Sequence, residues 1–361
     1  MTGSISCLCG RAAQDIVLEP STDHSIIHLC HCDSCRAITG LLCSSYRLLH
    51  TRPQKLESLG EYNQSEGICR YFCRTCGAHV FVHLEHSDQF LVASGLLVTK
   101  PPQLLSIQHW QIGDTHDGGL SSFLPGESVA TRPGYCRLHA EIRAQSPAEA
   151  IPEYLESPDT ASDSEHYRIL QAQCYCGGVE FHITPPDSSS KDAYSPWPDL
   201  LVPYHSTSSV NTEDVKWWLQ TGNTKYLAGT CACDSCRLAS GFPIQTWAFV
   251  PRSNISNIDR SLTMQQYESS PGVYREFCSR CGATVFWHCQ ERPRIIDVSV
   301  GLLHAKSGAR AEEWLEWATG RVSFAEMALE KKLIQMLEKG LRNWKQEKGP
   351  QTIGSKYPGA L

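Results

Sequence analysis

Residues 30–36 read Cys30-His31-Cys32-Asp33-Ser34-Cys35-Arg36, and residues 231–237 read Cys231-Ala232-Cys233-Asp234-Ser235-Cys236-Arg237. The two heptapeptides differ only at their second position, which indicates a duplicated domain. Three cysteines in so short a run are typical of metal binding, because their thiolates can hold one face of a tetrahedral ion at about 2.3 Å. The fold then depends on the cysteines that flank each triplet.

A cysteine pair precedes each triplet and another pair follows it, in the same order in both copies. The leading pairs are Cys7-Leu8-Cys9-Gly10 and Cys174-Tyr175-Cys176-Gly177. The trailing pairs are Cys73-Arg74-Thr75-Cys76-Gly77 and Cys278-Ser279-Arg280-Cys281-Gly282. A Gly-Leu-Leu run follows them, at Gly95 and again at Gly301. The chain is therefore predicted to be a tandem duplication of one small domain.

The repeats divide the chain into four parts. We predict a first zinc domain at residues 1–139, a linker at 140–166, rich in Ser, Pro, Asp and Glu, and a second zinc domain at 167–323. The second copy contains an insertion at 185–214, rich in Pro and Ser, which indicates a surface loop or a lid over a site. Residues 324–361 are predicted to form a C-terminal helix and a tail at 349–361. Apolar residues recur there at helical spacing, namely Met327, Leu333, Ile334, Leu337, Leu341 and Trp344.

Short segments rich in Val, Ile, Phe and Trp and bounded by turns predict β-strands. They are Gln14–Leu18, Ser25–Leu29, Val80–Leu84, Gly178–Ile183, Gln245–Val250 and Ile295–Val300. The predicted class is mainly β, with metal-binding knuckles at the turns.

Composition limits the function. The chain has 361 residues, of which 41% are hydrophobic and 19% charged, and its formal net charge is -6. No basic run suits nucleic acid, and no apolar run approaches the roughly 18 residues of a membrane span. Residues 1–11 contain no apolar signal core. We therefore predict a cytoplasmic protein whose 18 cysteines bind metal rather than form disulfides.

Seven motif cysteines in each copy divide into four and three. A closed zinc site takes four protein ligands, which the two flanking pairs supply. They are Cys7, Cys9, Cys73 and Cys76, and in the second copy Cys174, Cys176, Cys278 and Cys281. Each triplet would hold a second zinc with three thiolates: Cys30, Cys32 and Cys35, and then Cys231, Cys233 and Cys236. This predicts four Zn²⁺ per chain, two structural and two with three thiolates.

The triplet sites have two interpretations on the sequence alone. Their fourth position is open to an incoming thiol, or a protein ligand closes it. Nearby candidates for that ligand are Cys43, His79 and His83 in the first copy and His288 or Cys289 in the second. The remaining cysteines, Cys43, Cys69, Cys136 and Cys289, have no partner at motif spacing and are interpreted as core thiols.

The motif series CxCG, CHCxxCR and FCxxCG resembles the glutathione-dependent formaldehyde-activating enzyme family, which includes the CENP-V-like domains. The run Trp247-Ala248-Phe249-Val250-Pro251 and the segment 297–303 strengthen the resemblance. It implies two Mss4-like zinc-binding β domains in tandem, followed by the C-terminal helix. It also implies that the three-thiolate zinc is the site linked to glutathione chemistry.

The resemblance implies a zinc-dependent carbon–sulfur lyase that joins a small thiol, with glutathione as co-substrate, to a small carbonyl compound, or a related tailoring enzyme. The alternative is a non-catalytic zinc scaffold that binds a protein. His31 is a candidate catalytic residue as a proton carrier or ligand-orienting group, or else a partly exposed side chain between two ligands. Arg36 and Arg237 are candidates to hold a ligand carboxylate or offset the thiolate charge, or else they hydrogen-bond the knuckle backbone.

The two copies are not equivalent. The first retains the fuller triplet with His31, which favours it as the glutathione-type site. The second has Ala232 there but contains the insertion at 185–214, which favours a larger or more specific ligand.

Overall fold

A computed structural model describes residues 2–20, 25–98, 106–129, 168–204, 209–258 and 263–347. The linker predicted at 140–166, Cys136 and the tail predicted at 349–361 lie outside these residues. No helix among the described residues is long and apolar enough to cross a membrane.

Among its described residues, the first copy contains ten strands and one short α-helix. A five-stranded antiparallel sheet has the order β4-β8-β7-β6-β5, β1 pairs with β2, and β3 and β10 flank β9 in parallel. The elements are β1 Thr2–Ile5, β2 Gln14–Val17, β3 Ile26–Cys30, α1 Asp33–Thr39, β4 Tyr46–Leu48, β5 Leu59–Ser65, β6 Ile68–Cys73, β7 His79–Leu84, β8 Gln89–Ala93, β9 Ser106–Trp110 and β10 Glu127–Val129.

The second copy repeats this topology in a larger sheet of order β13-β14-β15-β20-β19-β18-β17, with β22 parallel to β14. Its elements are β11 Leu170–Gln173, β12 Glu180–Ile183, β13 Leu219–Gln220, β14 Lys225–Cys231, α2 Asp234–Ser240, β15 Gln245–Pro251, β16 Ile255–Ser256, β17 Met264–Ser270, β18 Val273–Cys278, β19 Thr284–Cys289, β20 Ile295–Ser299, β21 Leu303–His304, β22 Leu315–Trp317 and α3 Lys331–Glu347. The mainly β class, the tandem repeat and the six predicted strands are confirmed.

The C-terminal helix α3 begins at Lys331, later than the spacing of apolar residues suggested. The apolar residues predicted within it are buried, but Met327 precedes the helix and is 46% exposed. The helix packs on the first copy, where the Trp344 and Phe123 rings meet edge to face at 5.1 Å. A Cβ at Gly340 would lie 1.9 Å from the Phe123 carbonyl oxygen, so only glycine permits this approach. The helix therefore ties the end of the chain back to its first half.

The prediction of a surface loop at 185–214 is wrong for its centre. Trp197, Leu200 and Val202 are buried, and a Cβ at Gly229 of β14 would lie 2.3 Å from a Leu200 methyl group. Buried Asp199 accepts hydrogen bonds from Arg321, from Ser323 and from the backbone N–H groups of Phe324 and Tyr204. The centre of the insertion is therefore part of the second copy's core.

The two copies pack against each other through their repeated motifs. The Gly301 N–H donates to the Gly40 carbonyl at the end of α1 (3.2 Å), and Gly95 makes the corresponding bond to Gly241 at the end of α2. A Cβ at Gly301 would lie 2.2 Å from the Leu41 carbonyl oxygen. Each Gly-Leu-Leu run thus fits the helix end of the opposite copy, and glycine is required by this close contact.

A second reciprocal contact involves the knuckles. A Cβ at Gly77 would lie 2.4 Å from the Phe277 ring, and one at Gly282 would lie 2.7 Å from the Phe72 ring. Both glycines also have positive φ, 78° and 80°, a conformation that glycine adopts without strain. Each phenylalanine immediately precedes the first cysteine of its own trailing pair, so the two knuckles face each other across the interface.

Candidate metal centres

The flanking cysteine pairs of the first copy meet in one cluster. The turn between β1 and β2 supplies Cys7 and Cys9, the last residue of β6 is Cys73, and the turn after β6 supplies Cys76. All four Sγ atoms lie within 4.8 Å of one another, with Cys9 3.5 Å from Cys7 and 3.4 Å from Cys73. Tetrahedral zinc with bonds of about 2.3 Å places its sulfurs about 3.8 Å apart. The four thiols therefore fit a closed metal site.

The second copy forms the same cluster from Cys174, Cys176, Cys278 and Cys281. Cys176 Sγ lies 3.5 Å from the Sγ atoms of both Cys174 and Cys278. The Val179 N–H donates to Cys174 Sγ at 3.3 Å. Backbone N–H groups of this kind stabilise thiolates, which are the metal-binding form.

Each triplet is gathered by the start of a short helix. Cys32 occupies the N-cap of α1, and its Sγ accepts a hydrogen bond of 3.4 Å from the Cys35 N–H. Cys233 occupies the N-cap of α2 in the same way, and its Sγ accepts a hydrogen bond of 3.3 Å from the Cys236 N–H. The preceding strand delivers the remaining cysteine, Cys30 or Cys231. In each triplet the three Sγ atoms lie within 4.8 Å of one another, so each can hold a metal ion.

No fourth His, Cys, Asp or Glu joins either triplet within the described residues. His79 hydrogen-bonds the Ile38 carbonyl at 2.8 Å, His83 bonds Asp88, and His288 bonds Glu276. Burial, together with the charges of Cys30 and Cys35, raises the pKa of the Cys43 thiol, which disfavours the thiolate. Cys289 also lies outside the second triplet. Each triplet therefore leaves a coordination position that the candidate side chains do not fill.

The second triplet is the more accessible one. Cys231, Cys233 and Cys236 are 7%, 8% and 5% exposed. Their counterparts Cys30, Cys32 and Cys35 are 5%, 3% and 0% exposed. Both triplets are buried, and the second is slightly less so than the first.

His31 is buried behind the first triplet rather than partly exposed. Its Nε2 lies 2.8 Å from His109 Nδ1, and His109 Nε2 lies 2.8 Å from the Leu124 carbonyl oxygen. Because that carbonyl can only accept, His109 carries its proton on Nε2 and His31 donates to it. Burial, the neighbouring His109 and Arg36 lower the pKa of His31. The neutral pair joins the triplet to residues 109–124, and a catalytic role for His31 stays a prediction.

Arg36 and Arg237 direct their guanidinium groups to nearby backbone. Arg36 donates to the His31 carbonyl at 3.2 Å and to Asp33. Arg237 bonds Asp234 and donates to the Gly95 carbonyl of the opposite copy at 2.5 Å. Arg36 thus bonds the backbone of its own knuckle, whereas Arg237 bonds backbone of the opposite copy, and the catalytic roles of both residues stay predictions.

A second pair of arginines contacts the triplets, and the sequence reasoning missed it. Arg70 Nη2 lies 3.4 Å from Cys35 Sγ, and Arg275 Nη2 lies 3.6 Å from Cys236 Sγ. Burial would lower the pKa of Arg275, but the charges of Cys236 and Cys233 offset this and raise it. The available signal was the repeated Arg-x-x-Cys spacing before each trailing pair.

A family model described as glutathione-dependent formaldehyde-activating enzyme matches residues 2–110 and 211–317. Together the two matches span more than half of the chain. The chain belongs to this family. Each match contains one triplet and one trailing pair, so the family's motif occurs twice. The second match begins after Cys174 and Cys176, and it is the structure that joins this pair to Cys278 and Cys281.

A crystal structure of a Rhodobacter sphaeroides protein is also similar to the chain. The identity is 16%, the match covers 41% of this chain and 98% of that one, and the TM-score is 0.24. A search of curated proteins found no match.

Proposed function

We propose that the protein is a zinc-dependent carbon–sulfur lyase that forms and breaks an adduct between a glutathione-type thiol and a small carbonyl compound. The observation that carries the proposal is the unequal division of the cysteines. Two clusters offer four thiols each, whereas the two triplets offer three and lack a fourth ligand among the described residues. Family membership supports the choice of thiol and carbonyl substrates.

Zinc is the metal proposed for all four clusters, because tetrahedral thiolate sites are characteristic of it. The flanking pairs would hold two structural ions and the triplets two reactive ones. When bound in a triplet, zinc would supply a Lewis acid that favours the deprotonated form of an added thiol.

In the proposed reaction the thiol sulfur forms a bond to the carbonyl carbon. The π electrons of the C=O bond move to oxygen, which takes up the proton that the thiol released. The reverse reaction breaks the C–S bond and returns the thiol and the carbonyl compound. The chain must therefore hold a sulfur and stabilise a developing oxygen anion beside it.

The second copy is the proposed principal site. Its triplet is more exposed, and Arg275 places a buried positive charge beside Cys236. Buried Asp297 lies on strand β20 at the position of Leu91 in the first copy, and it forms an ion pair with Arg292 through hydrogen bonds of 2.7 and 2.8 Å. These features support a more polar ligand environment in the second copy, although the fuller motif favoured the first.

Cobalt replacement tests the proposal. The full-length protein would be loaded with Co²⁺, its metal content measured, and its thiolate-to-metal absorption followed during titration with glutathione. We expect about four metals per chain and a spectral change at the triplets only. A Cys233→Ala, Cys32→Ala double variant would identify these bands, because it retains both four-thiolate clusters. Full metal content without any response to thiols, and without turnover of thiol–aldehyde adducts, would favour the scaffold alternative.

A further inference from the structure

Two nitrogens of the Arg275 guanidinium donate no hydrogen bond to any described residue. The residue is 3% exposed, and its Nη2 donates to Ser235 Oγ at 3.1 Å and lies 3.6 Å from Cys236 Sγ. Its Nε and Nη1 are buried and have no hydrogen-bond partner among the described residues. A buried guanidinium whose donors make no hydrogen bond destabilises the folded protein. An acceptor from a bound ligand would remove this cost.

The first copy shows how the same guanidinium is satisfied internally. Arg70 is 0% exposed, and its Nη2 contacts Cys35 Sγ as Arg275 contacts Cys236. Its Nε donates to Gln64 Oε1 at 2.5 Å and its Nη1 donates to the Tyr46 hydroxyl at 2.7 Å. All three nitrogens of Arg70 are therefore used within the protein.

The residues that satisfy Arg70 are replaced in the second copy. Tyr46 pairs with Ala93 just before a 3-10 helix, and Trp247 pairs with Ser299 at the matching position. The bulge between β5 and β6 that contains Gln64 corresponds to the bulge containing Ser269. Tryptophan has no acceptor, and serine is shorter than glutamine. The two replacements together remove both acceptors.

Neighbouring carboxylates of the second copy do not replace them. Asp297 accepts two hydrogen bonds from Arg292, and Glu276 bonds His288 at 2.9 Å. The guanidinium of Arg275 therefore lies beside the triplet, and two of its nitrogens have no acceptor among the described residues. An anionic oxygen is the acceptor that a guanidinium binds best.

We infer that Arg275 Nε and Nη1 form a subsite for an anionic oxygen carried close to the sulfur of the second copy's ligand. Two sources share this chemistry: a carboxylate next to the thiol, or the alkoxide formed from the carbonyl group. The inference deepens the proposed function and rests on it. It also assigns selectivity to the second copy, since each nitrogen of Arg70 already has a partner within the protein.

Grafting the first copy's acceptors onto the second tests the subsite. Trp247→Tyr with Ser269→Gln supplies Arg275 with an internal hydroxyl and amide, as at Arg70. The cobalt-loaded wild type and variant would be titrated with mercaptoacetate and with neutral 2-mercaptoacetamide, and turnover of a thiol–aldehyde adduct measured. Arg275→Lys serves as a second variant, which retains the charge without the planar donors. Ser256→Gln, at an exposed position on β16, is the control and should match the wild type.

A carboxylate source predicts that the wild type prefers mercaptoacetate roughly tenfold or more over the amide, and that both variants lose the preference. An alkoxide source predicts no binding preference but a roughly tenfold or larger fall in kcat at unchanged KM in both variants. Variants that match the wild type in both measurements would overturn the subsite while the thiol response upholds the proposed function. A wild-type spectrum that responds to no thiol would overturn both.

Discussion

The Gly95 N–H donates a hydrogen bond of 2.8 Å to the Gly241 carbonyl oxygen, which joins the first copy's Gly-Leu-Leu run to the end of the second copy's α2. The Gly301–Gly40 bond is its counterpart in the opposite direction. In both places the glycine after strand β8 or β20 meets the glycine that ends a triplet helix. The repeated motif therefore builds the interface between the copies as well as the metal sites.

Gly301→Ala should destabilise the whole protein, because its methyl group would lie 2.2 Å from the Leu41 carbonyl oxygen. Overpacking of this kind costs about 1–3 kcal/mol, and the free energy of unfolding from denaturant titration measures it. Gly113→Ala is the matched control, since no atom lies within 4 Å of the added Cβ. Equal stability of the two variants would show that the interface is looser than the structure indicates.

Removal of a ligand from a four-thiolate cluster should cost more stability than removal of a triplet ligand. Cys76→Ser opens a site that joins the β1–β2 turn to the β6–β7 turn, and structural zinc supplies on the order of 10 kcal/mol in small zinc modules. Cys35→Ser removes one ligand from a local site and closes no long loop. Thermal melts at fixed zinc concentration should show the larger loss for Cys76→Ser.

The same melts distinguish coupled from independent copies. Because the Phe277 ring packs on Gly77, Cys76→Ser should also weaken the second copy's knuckle. A single transition that shifts as a unit is expected. Two separate transitions, with the second copy unchanged, would contradict the coupling.

Cys233→Ala should reduce turnover of a thiol–aldehyde adduct more than Cys32→Ala does. The second triplet is more exposed, and Arg275 with its unfilled donors lies beside it. Circular dichroism would check that both variants retain the fold. A larger loss in Cys32→Ala would return the principal site to the first copy, as its fuller motif suggested.

The sequence predicted most of the architecture because cysteine spacing reports metal geometry directly. The four-plus-three division needed only the order of the pairs and triplets, and the clusters form as predicted. The buried insertion was not predictable in this way, since Trp197 and Leu200 sit among Pro and Ser residues that are typical of loops. Arg275 was missed for another reason. Trp247 and Ser269 stand where the first copy has the hydrogen-bond acceptors of Arg70, and both are distant from Arg275 in sequence.

His79 should make stability depend on pH. Burial, together with the charge of Arg70, lowers the pKa of His79 to about 3, against about 6.5 when unfolded. Between these values the unfolded state binds one more proton, so stability falls with decreasing pH by up to about 1.4 kcal/mol per pH unit. His79→Gln, which retains a donor for the Ile38 carbonyl, should flatten this slope in denaturant titrations from pH 7 to about 5.

Asp199→Ala should loosen the insertion and the second triplet together. The carboxylate accepts from Arg321 and Ser323, and the Ser323 carbonyl accepts from the Ala232 N–H inside the triplet. Lost bonds to a buried charge cost about 2 kcal/mol or more. Metal release from the triplet, followed with a chelator and a zinc dye, should accelerate. Asp214→Ala, at a more exposed aspartate of the same insertion, should release metal at the wild-type rate.

The paired contacts of Phe72 with Gly282 and of Phe277 with Gly77 have an evolutionary consequence. They are the contacts that two identical chains related by a twofold axis would make. In such a homodimer one gene encodes both sites, so every substitution appears twice. Covalent fusion removes that constraint: one half can retain Tyr46 and Gln64 around its arginine while the other exchanges them for Trp247 and Ser269. A duplicated gene can thus specialise one site for a new ligand while its twin preserves the scaffold that both require.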